Sequence, residues 1–318
     1  MIHYILRKLL LAIPVLFGVT LIVFAVASAM PGDAVLAMIT AEAPSSEQLI
    51  AMRRGELGLD QPVVQQYLHW LGQLLHGNFG RSFVSGRPVI DLIGERLPIT
   101  LELMGVALLV AFLLGTALGL ASALRQYGAA DYGLTVAGLV GVSIPDFFLG
   151  LLLVYLFSLE LRWFPSAGVR TQGGAFSWAD HLRYLVLPAA SLALFRTAIF
   201  MRYARAGMLD VLNQDYMRTA RAKGLRPRLI LLRHGLRNAL IPLTTVFGLS
   251  LPTLFGGSVV VETIFQWPGI GLLFINAVVD RDSPVIMGYV LLTAVIVMAA
   301  NLLTDLAYAV LDPRVSYG

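Results

Sequence analysis

LMGVALLVAFLLGTALGLASAL, residues Leu103–Leu124, is a charge-free run of 22 residues held between Glu102 and Arg125. As a helix rising about 1.5 Å per residue it reaches about 33 Å, enough to cross the hydrocarbon core of a bilayer. Working outward, Leu9–Gly32, Asn238–Val261 and Ser283–Thr304 are charge-free over similar lengths. Two further runs carry one charge each, Tyr132–Leu159 with Asp146 and Tyr184–Met201 with Arg196. The chain is therefore expected to be an all-α integral membrane protein with six transmembrane helices. Its bulk composition agrees. Of 318 residues, 58% are hydrophobic and 13% charged, and the mean hydropathy is +0.78. Soluble domains carry about 25% charged residues, so too few are present here to dress a water-facing surface. The same apolar content excludes a disordered chain.

Several chemistries are absent from the sequence. There is no cysteine, hence no disulfide framework, thiolate metal site or cysteine nucleophile. The two lysines, Lys8 and Lys223, are followed by Leu9 and Gly224, so no Gly-Lys-Ser/Thr loop is available for nucleotide hydrolysis. The five histidines, His3, His69, His76, His181 and His234, fall in loops or flanks and form no intramembrane metal site. No catalytic residues and no nucleic-acid partner are expected. The first run has the basic start (Arg7, Lys8) and small residues (Ala25–Ala29) of a signal peptide. Its apolar core exceeds the usual h-region of about 7–15 residues, which favours a retained span.

Orientation follows from the arginines and lysines of the connections. With a cytoplasmic N-terminus, segments 1–8, 125–131, 202–237 and 312–318 lie inside and hold 13 of them. Segments 33–98, 160–183 and 262–282 lie outside and hold nine over roughly twice the length. Both termini are thus expected in the cytoplasm. The chain divides into an N-terminal segment with the first span (1–31), an outer cap (32–98) and a core (99–318) with a cytoplasmic segment at 202–237. In the cap, Ser45 and Gln48 are spaced as a capping box, and Asp60-Gln61-Pro62 offers a second helix start. Val64, Leu68, Leu71 and Leu75 then predict one apolar helix face, with Gly77 as its stop. Tyr67 and Trp70 belong either at the membrane interface or inside the cap. The outer segment Glu160–Arg183 shows no catalytic clustering.

The cytoplasmic segment contains DYMRTARAKGLRPR, Asp215–Arg228. It predicts a short helix to Lys223, a left-handed Gly224, and a second helix with Pro227 in its first turn. Such a helix, held along the membrane between two spans, either acts as a lever for a soluble partner or merely carries positive-inside charge. Asp146 and Arg196, inside their spans, either line a polar translocation path or form an ion pair between helices. Glu102 and Asp305 sit nearer span ends and Glu262 follows the fifth span. Pro145, before Asp146, is expected to interrupt its helix and free backbone carbonyls. Pro252 and Gly256-Gly257 permit a bend or close helix approach in the fifth span. Trp267-Pro268-Gly269 is expected to turn near the interface.

Here the sequence resembles a known family. DYMRTARAKGL with LLRHGLRNALIP (Leu231–Pro242) is similar to the cytoplasmic signature of permease subunits of bacterial binding-protein-dependent ABC importers, in the form typical of peptide and nickel permeases. So are MPGD at Met30–Asp33, LGLDQPVVQQYLHWL at Leu57–Leu71, GNFGRSF at Gly77–Phe83 and SIPDFFLGLLL at Ser143–Leu153. GGSVVVETIFQWPGIGLL at Gly256–Leu273 and LLTDLAYAVLDPRV at Leu302–Val315 extend the likeness to the end of the chain. The general permease pattern matches at Ala220, Gly224 and Leu236, and departs from it at Arg218, Thr219, His234 and Arg237.

The resemblance implies a type I ABC importer permease fold in the bacterial inner membrane. It implies that Asp215, Tyr216, Arg218, Thr219, Ala220, Arg221, Lys223 and Gly224 couple to an ATPase subunit. Since Arg218 stands where the general pattern has a carboxylate, Arg218 or Arg221 is expected to pair with an acid on that partner. The implied partners are a second homologous permease, two ATP-binding subunits that carry ATP and Mg, a periplasmic or lipid-anchored solute-binding protein, and membrane lipid. No cofactor is expected on this chain. The implied cargo is a di- or oligopeptide, with glutathione or nickel complexes as alternatives. An intramembrane serine protease would need a nucleophile beside a base, and neither an intramembrane histidine nor Gly-x-Ser-x-Gly is present. A stand-alone carrier would be expected to carry an inverted repeat, and none is evident.

Overall fold

The structure, a computed structural model, describes residues 2–30 and 60–311. The Ser45–Gln48 helix start and Arg314 lie outside the described residues. Among those described, regular structure is helical apart from one isolated bridge between Arg81 and Pro88. The helices are α1 (Ile2–Ala29), α2 (Val63–Leu75), α3 (Val89–Leu124), α4 (Ala129–Ser143), α5 (Asp146–Leu153), α6 (Trp178–Leu212) and α7 (Asp215–Ala222). They continue as α8 (Pro227–Ile230), α9 (Arg237–Ala239), α10 (Ile241–Ile264), α11 (Ile270–Val279) and α12 (Ser283–Leu311). Wider π-type turns extend α5 over Val154–Glu160 and join α8 to α9 over Leu231–Leu236.

α1, α3, α6 and α12 are each long and apolar enough to cross a membrane. α4 and α5 reach that length and apolarity only as a pair, bent by 104° at the break before Asp146, the form of either a broken span or a re-entrant loop. Pro145 disfavours a helical Ile144 and offers no N–H of its own, so the bend falls where the sequence expects it. α10 takes up residues 241–261 of the remaining expected run, Asn238–Val261, and continues to Ile264, with Pro252 inside it and Glu262 as its single charged residue. Helix ends and span ends differ. α3 starts 14 residues before its charge-free run and keeps Pro98 inside, and α6 runs 11 residues beyond Met201. Charged residues such as Asp91, Glu95, Arg202 and Arg205 are good or tolerable helix residues once outside lipid, so hydropathy marks the membrane and not the end of the helix.

The chain forms two compact units. The first holds residues 1–100 and 268–299. In it α2 lies on α1. Tyr67 is buried, its hydroxyl 2.9 Å from Thr20 Oγ1, and the Phe24 ring sits 5.4 Å from Tyr67 and 5.6 Å from Trp70. Leu74 completes this flank with Val23 of α1 and with Met287 and Leu291 of α12. The packed side is therefore Tyr67, Trp70 and Leu74, whereas Val64, Leu68 and Leu75 of the expected face are exposed. Apolar residues cover two adjoining flanks of α2, and the flank with the larger aromatic surfaces holds the contact. Gly77, at φ +79°, stops the helix as expected. Beyond it, Asp282 accepts from the Ser82 hydroxyl and, at 3.0 Å, from the Phe83 N–H.

The second unit holds residues 101–267 and 300–318. α3 and α6 meet through glycine. A Cβ on Gly115 would stand 2.6 Å from the Phe200 Cβ, and one on Gly119 2.4 Å from the Met201 carbonyl oxygen. Phe112 fills the space beside this seam against Phe200 and Phe247. Gly248 of α10 is closed in the same way by Thr304 of α12.

Candidate functional site

The expected coupling site is built on the C-terminal end of α6. α7 begins after Gln214, places Asp215 in its first turn and Arg221 in its last, and so opposes its own dipole at both ends. Gly224 takes φ +72° and its N–H donates to the Arg221 carbonyl at 2.9 Å, closing the helix. Pro227 opens α8, as the sequence predicts. Of the residues expected to couple, Ala220 is buried with Met217. They pack with Ala123, Met208, Val211, Ile230 and Ala239. Asp215, Tyr216, Arg218, Thr219, Arg221, Lys223 and Gly224 are exposed. Arg218 approaches Asp215 at 3.5 Å, an exposed pair of small energetic weight.

One hydrogen bond ties α7 to α9, and α9 in turn closes on α6. The Tyr216 hydroxyl accepts from Asn238 Nδ2 at 3.2 Å. Gly207 of α6 lies so close to α9 that a Cβ would stand 2.9 Å from the Ala239 carbonyl oxygen. The end of α6, α7 and α9 thus interlock, with no room for a side chain at Gly207.

Nearby, Asp131 is 3% exposed and fully engaged. Arg205 donates to it twice, from Nε at 2.7 Å and Nη2 at 2.8 Å. The Ser122 hydroxyl and, at 2.9 Å, the Tyr127 N–H supply the rest. Four donors on two oxygens are what lets a carboxylate remain charged in a buried place. This knot joins α3, α4 and α6. Sequence reasoning missed it, because Asp131 and Arg205 are 74 residues apart and each reads as an ordinary flanking charge.

Asp146 opens α5 at the bend, and Arg196 lies within α6. Both are half-buried and each acts electrostatically on the other. At the other end of α6, His181 joins Glu102 of α3 through Nε2 at 2.8 Å and the Val169 carbonyl through Nδ1 at 3.0 Å. Trp267 is fully buried with its ring 5.7 Å from His181, so the expected turn is present but its indole is inside the protein. Glu262 is fully buried within α10, which runs on to Ile264.

Residues 115–317 match the family described as "binding-protein-dependent transport system inner membrane component", and residues 1–104 match its N-terminal companion. The chain belongs to this family. As such a component it is a multi-pass protein of the inner membrane and a transport subunit, and the family works with ATPase and solute-binding components. It is 46% identical over 317 residues to the oligopeptide transport system permease protein AppB of Bacillus subtilis (strain 168), with 99% of both chains covered. It is 43% identical to a putative peptide permease protein of Brucella ovis, again with 99% of both chains covered. It is 39% identical to the glutathione transport system permease protein GsiC of Escherichia coli O1:K1 / APEC, covering the whole of both chains. A solved inward-facing structure of the MetNI methionine ABC transporter superposes on 70% of this chain and 97% of its own with a TM-score of 0.57. At 18% identity that likeness establishes the fold, an ABC transporter permease fold.

Proposed function

We propose that this component is the permease subunit of an ATP-driven importer that carries di- or oligopeptides across the cytoplasmic membrane by alternating access. The observation that carries this reading is the seating of α7. Met217 and Ala220 face inward, and Arg218, Thr219, Arg221 and Lys223 face out on a helix anchored to α6 and α9. That is a seat for a soluble partner, held firmly enough to pass on its movement.

In this reading six spans leave both termini in the cytoplasm, with 1–31, 32–98 and 99–318 as first span, outer cap and permease core. A second, homologous permease completes the substrate path, and two ATP-binding subunits carry ATP and Mg. A periplasmic or lipid-anchored solute-binding protein delivers cargo. Nucleotide binding closes the ATPase pair, residues 210–230 transmit the closure, and the path opens outward. Hydrolysis resets it. Asp146 and Arg196 lie on the path, beside the bend at Pro145.

Peptide cargo is supported by the names of the Bacillus and Brucella relatives, and glutathione is the second cargo reading, supported by the relative from Escherichia coli. The test is uptake of labelled di-, tetra- and pentapeptides and of glutathione into proteoliposomes holding the full complex. Peptide uptake that requires ATP and the binding protein is expected. Uptake without ATP would sink the importer reading, and uptake of glutathione alone would replace the cargo.

A further inference from the structure

Between the π-type extension of α5 and the start of α6, the second unit holds a polar cavity of about 470 Å³. Its lining includes Arg162, Arg183, Asp180, Ser166, Tyr184 and Phe164. The charges in it are unequally committed. Asp180, its one carboxylate, spends both oxygens on Thr171, accepting from the N–H at 2.7 Å and the hydroxyl at 2.9 Å. Arg183 uses one nitrogen on the Trp163 carbonyl at 3.3 Å. Arg162 is exposed and, among the described residues, makes no hydrogen bond or ion pair. The cavity therefore offers two guanidinium groups, with hydroxyls beside them, and its own acid is already engaged. A guanidinium fork matches the two oxygens of a carboxylate.

The family depends on a binding protein, and residues 160–183 form an outward segment in the topology proposed above. We propose that this cavity receives an acidic side chain of the solute-binding protein, with Arg162 as the main contact and Arg183 as its support. The inference rests on that topology. It fixes a partner surface, an Asp or Glu projecting from the face that meets the membrane, and predicts salt-sensitive docking. The cavity is open to the surface and its lining runs from Ser158 at the end of the α5 extension to Tyr184 of α6, a shape that suits a side chain projecting from a protein.

Arg162 has φ +54°, a left-handed backbone that Asn and Asp tolerate better than other residues. Arg162→Asn and Arg162→Asp therefore remove or reverse the charge without adding strain. The experiment uses the full complex in nanodiscs of neutral lipid and titrates the binding protein while ATP hydrolysis is followed. Arg162→Asn should raise the half-saturating concentration of binding protein about tenfold, and Arg162→Asp further, with basal hydrolysis unchanged. Raising salt should weaken wild-type docking more than that of Arg162→Asn. An unchanged half-saturation for both variants overturns the proposal. So does an effect seen only when anionic lipid is added, which would assign the cavity to a lipid headgroup. Because the chain has no cysteine, Arg162→Cys can be labelled alone with an impermeant maleimide in whole cells. Labelling from the outside is expected. Labelling only after the membrane is opened would reject the topology, and the docking proposal with it, whereas outside labelling with unchanged docking would reject the docking proposal alone.

Discussion

α2 and α7 are both short helices between spans, and they solve the same packing problem with different outer surfaces. α2 rests on α1 through Tyr67, Trp70 and Leu74 and leaves Val64, Leu68 and Leu75 bare. α7 rests on its neighbours through Met217 and Ala220 and leaves Arg218, Arg221 and Lys223 bare. In each case two or three side chains bind the helix to its unit. The difference lies in the free side: on α2 it mixes Val64, Leu68 and Leu75 with Gln65, His69 and Gln73, and on α7 it is strongly cationic. What a connecting helix does is thus set by the face it does not pack.

The sharpest way to break the contrast is to unseat α7. Met217 is 1% exposed, so Met217→Asp buries a carboxylate without a partner at a cost of about 3–5 kcal/mol. ATP-dependent uptake is expected to vanish and the ATPase to fail to copurify. Normal uptake would refute the seating described here. Next comes the free side. Arg218→Glu with Arg221→Glu touches only exposed side chains, so the melting temperature should hold while uptake falls about tenfold or more, equivalent to about 1.4 kcal/mol of lost coupling. Equal uptake at low and high salt would show that charge is irrelevant on this face. Third, Gly224→Val forces a branched residue to φ +72°, a strain of about 1–2 kcal/mol, whereas Gly224→Asn should retain most activity. Transport assays that rank the two alike would remove the turn from the argument. The smallest effects belong to α2. Tyr67→Phe loses the Thr20 bond, about 1 kcal/mol or a melting shift of about 2 °C, and Leu68→Gln in detergent should stay within about 0.5 kcal/mol. A larger loss at Leu68 than at Tyr67 would reverse the assignment of packed and free flanks.

Much of this was legible in the sequence because lipid imposes a coarse code. A charge-free run of about 20 residues has few meanings, so the helices fall where the runs do. Gly77, Gly224 and Pro145 were equally readable, since each acts through its own backbone geometry. The packed flank of α2 was not, because both flanks are apolar and helical spacing alone does not choose between them. The polar knots were beyond reach for another reason. Ser82 and Asp282 are 200 residues apart, and Glu102 and His181 are 79 apart. Nothing local marks them as partners. The sequence located α7 but not the contacts around it, Tyr216 on Asn238 and, between α6 and α9, Gly207 under Ala239.

The glycine seam between α3 and α6 carries a mechanical consequence. At Gly115 and Gly119 the two helices touch backbone to backbone, with no side chain between them that could change rotamer and let one slide along the other. α3 and α6 there behave as a single welded beam. In the proposed cycle, a stroke that α7 delivers to α6 is carried along that beam, and the compliance falls instead on the elbow at Pro145, where the helix is already broken by a 104° bend.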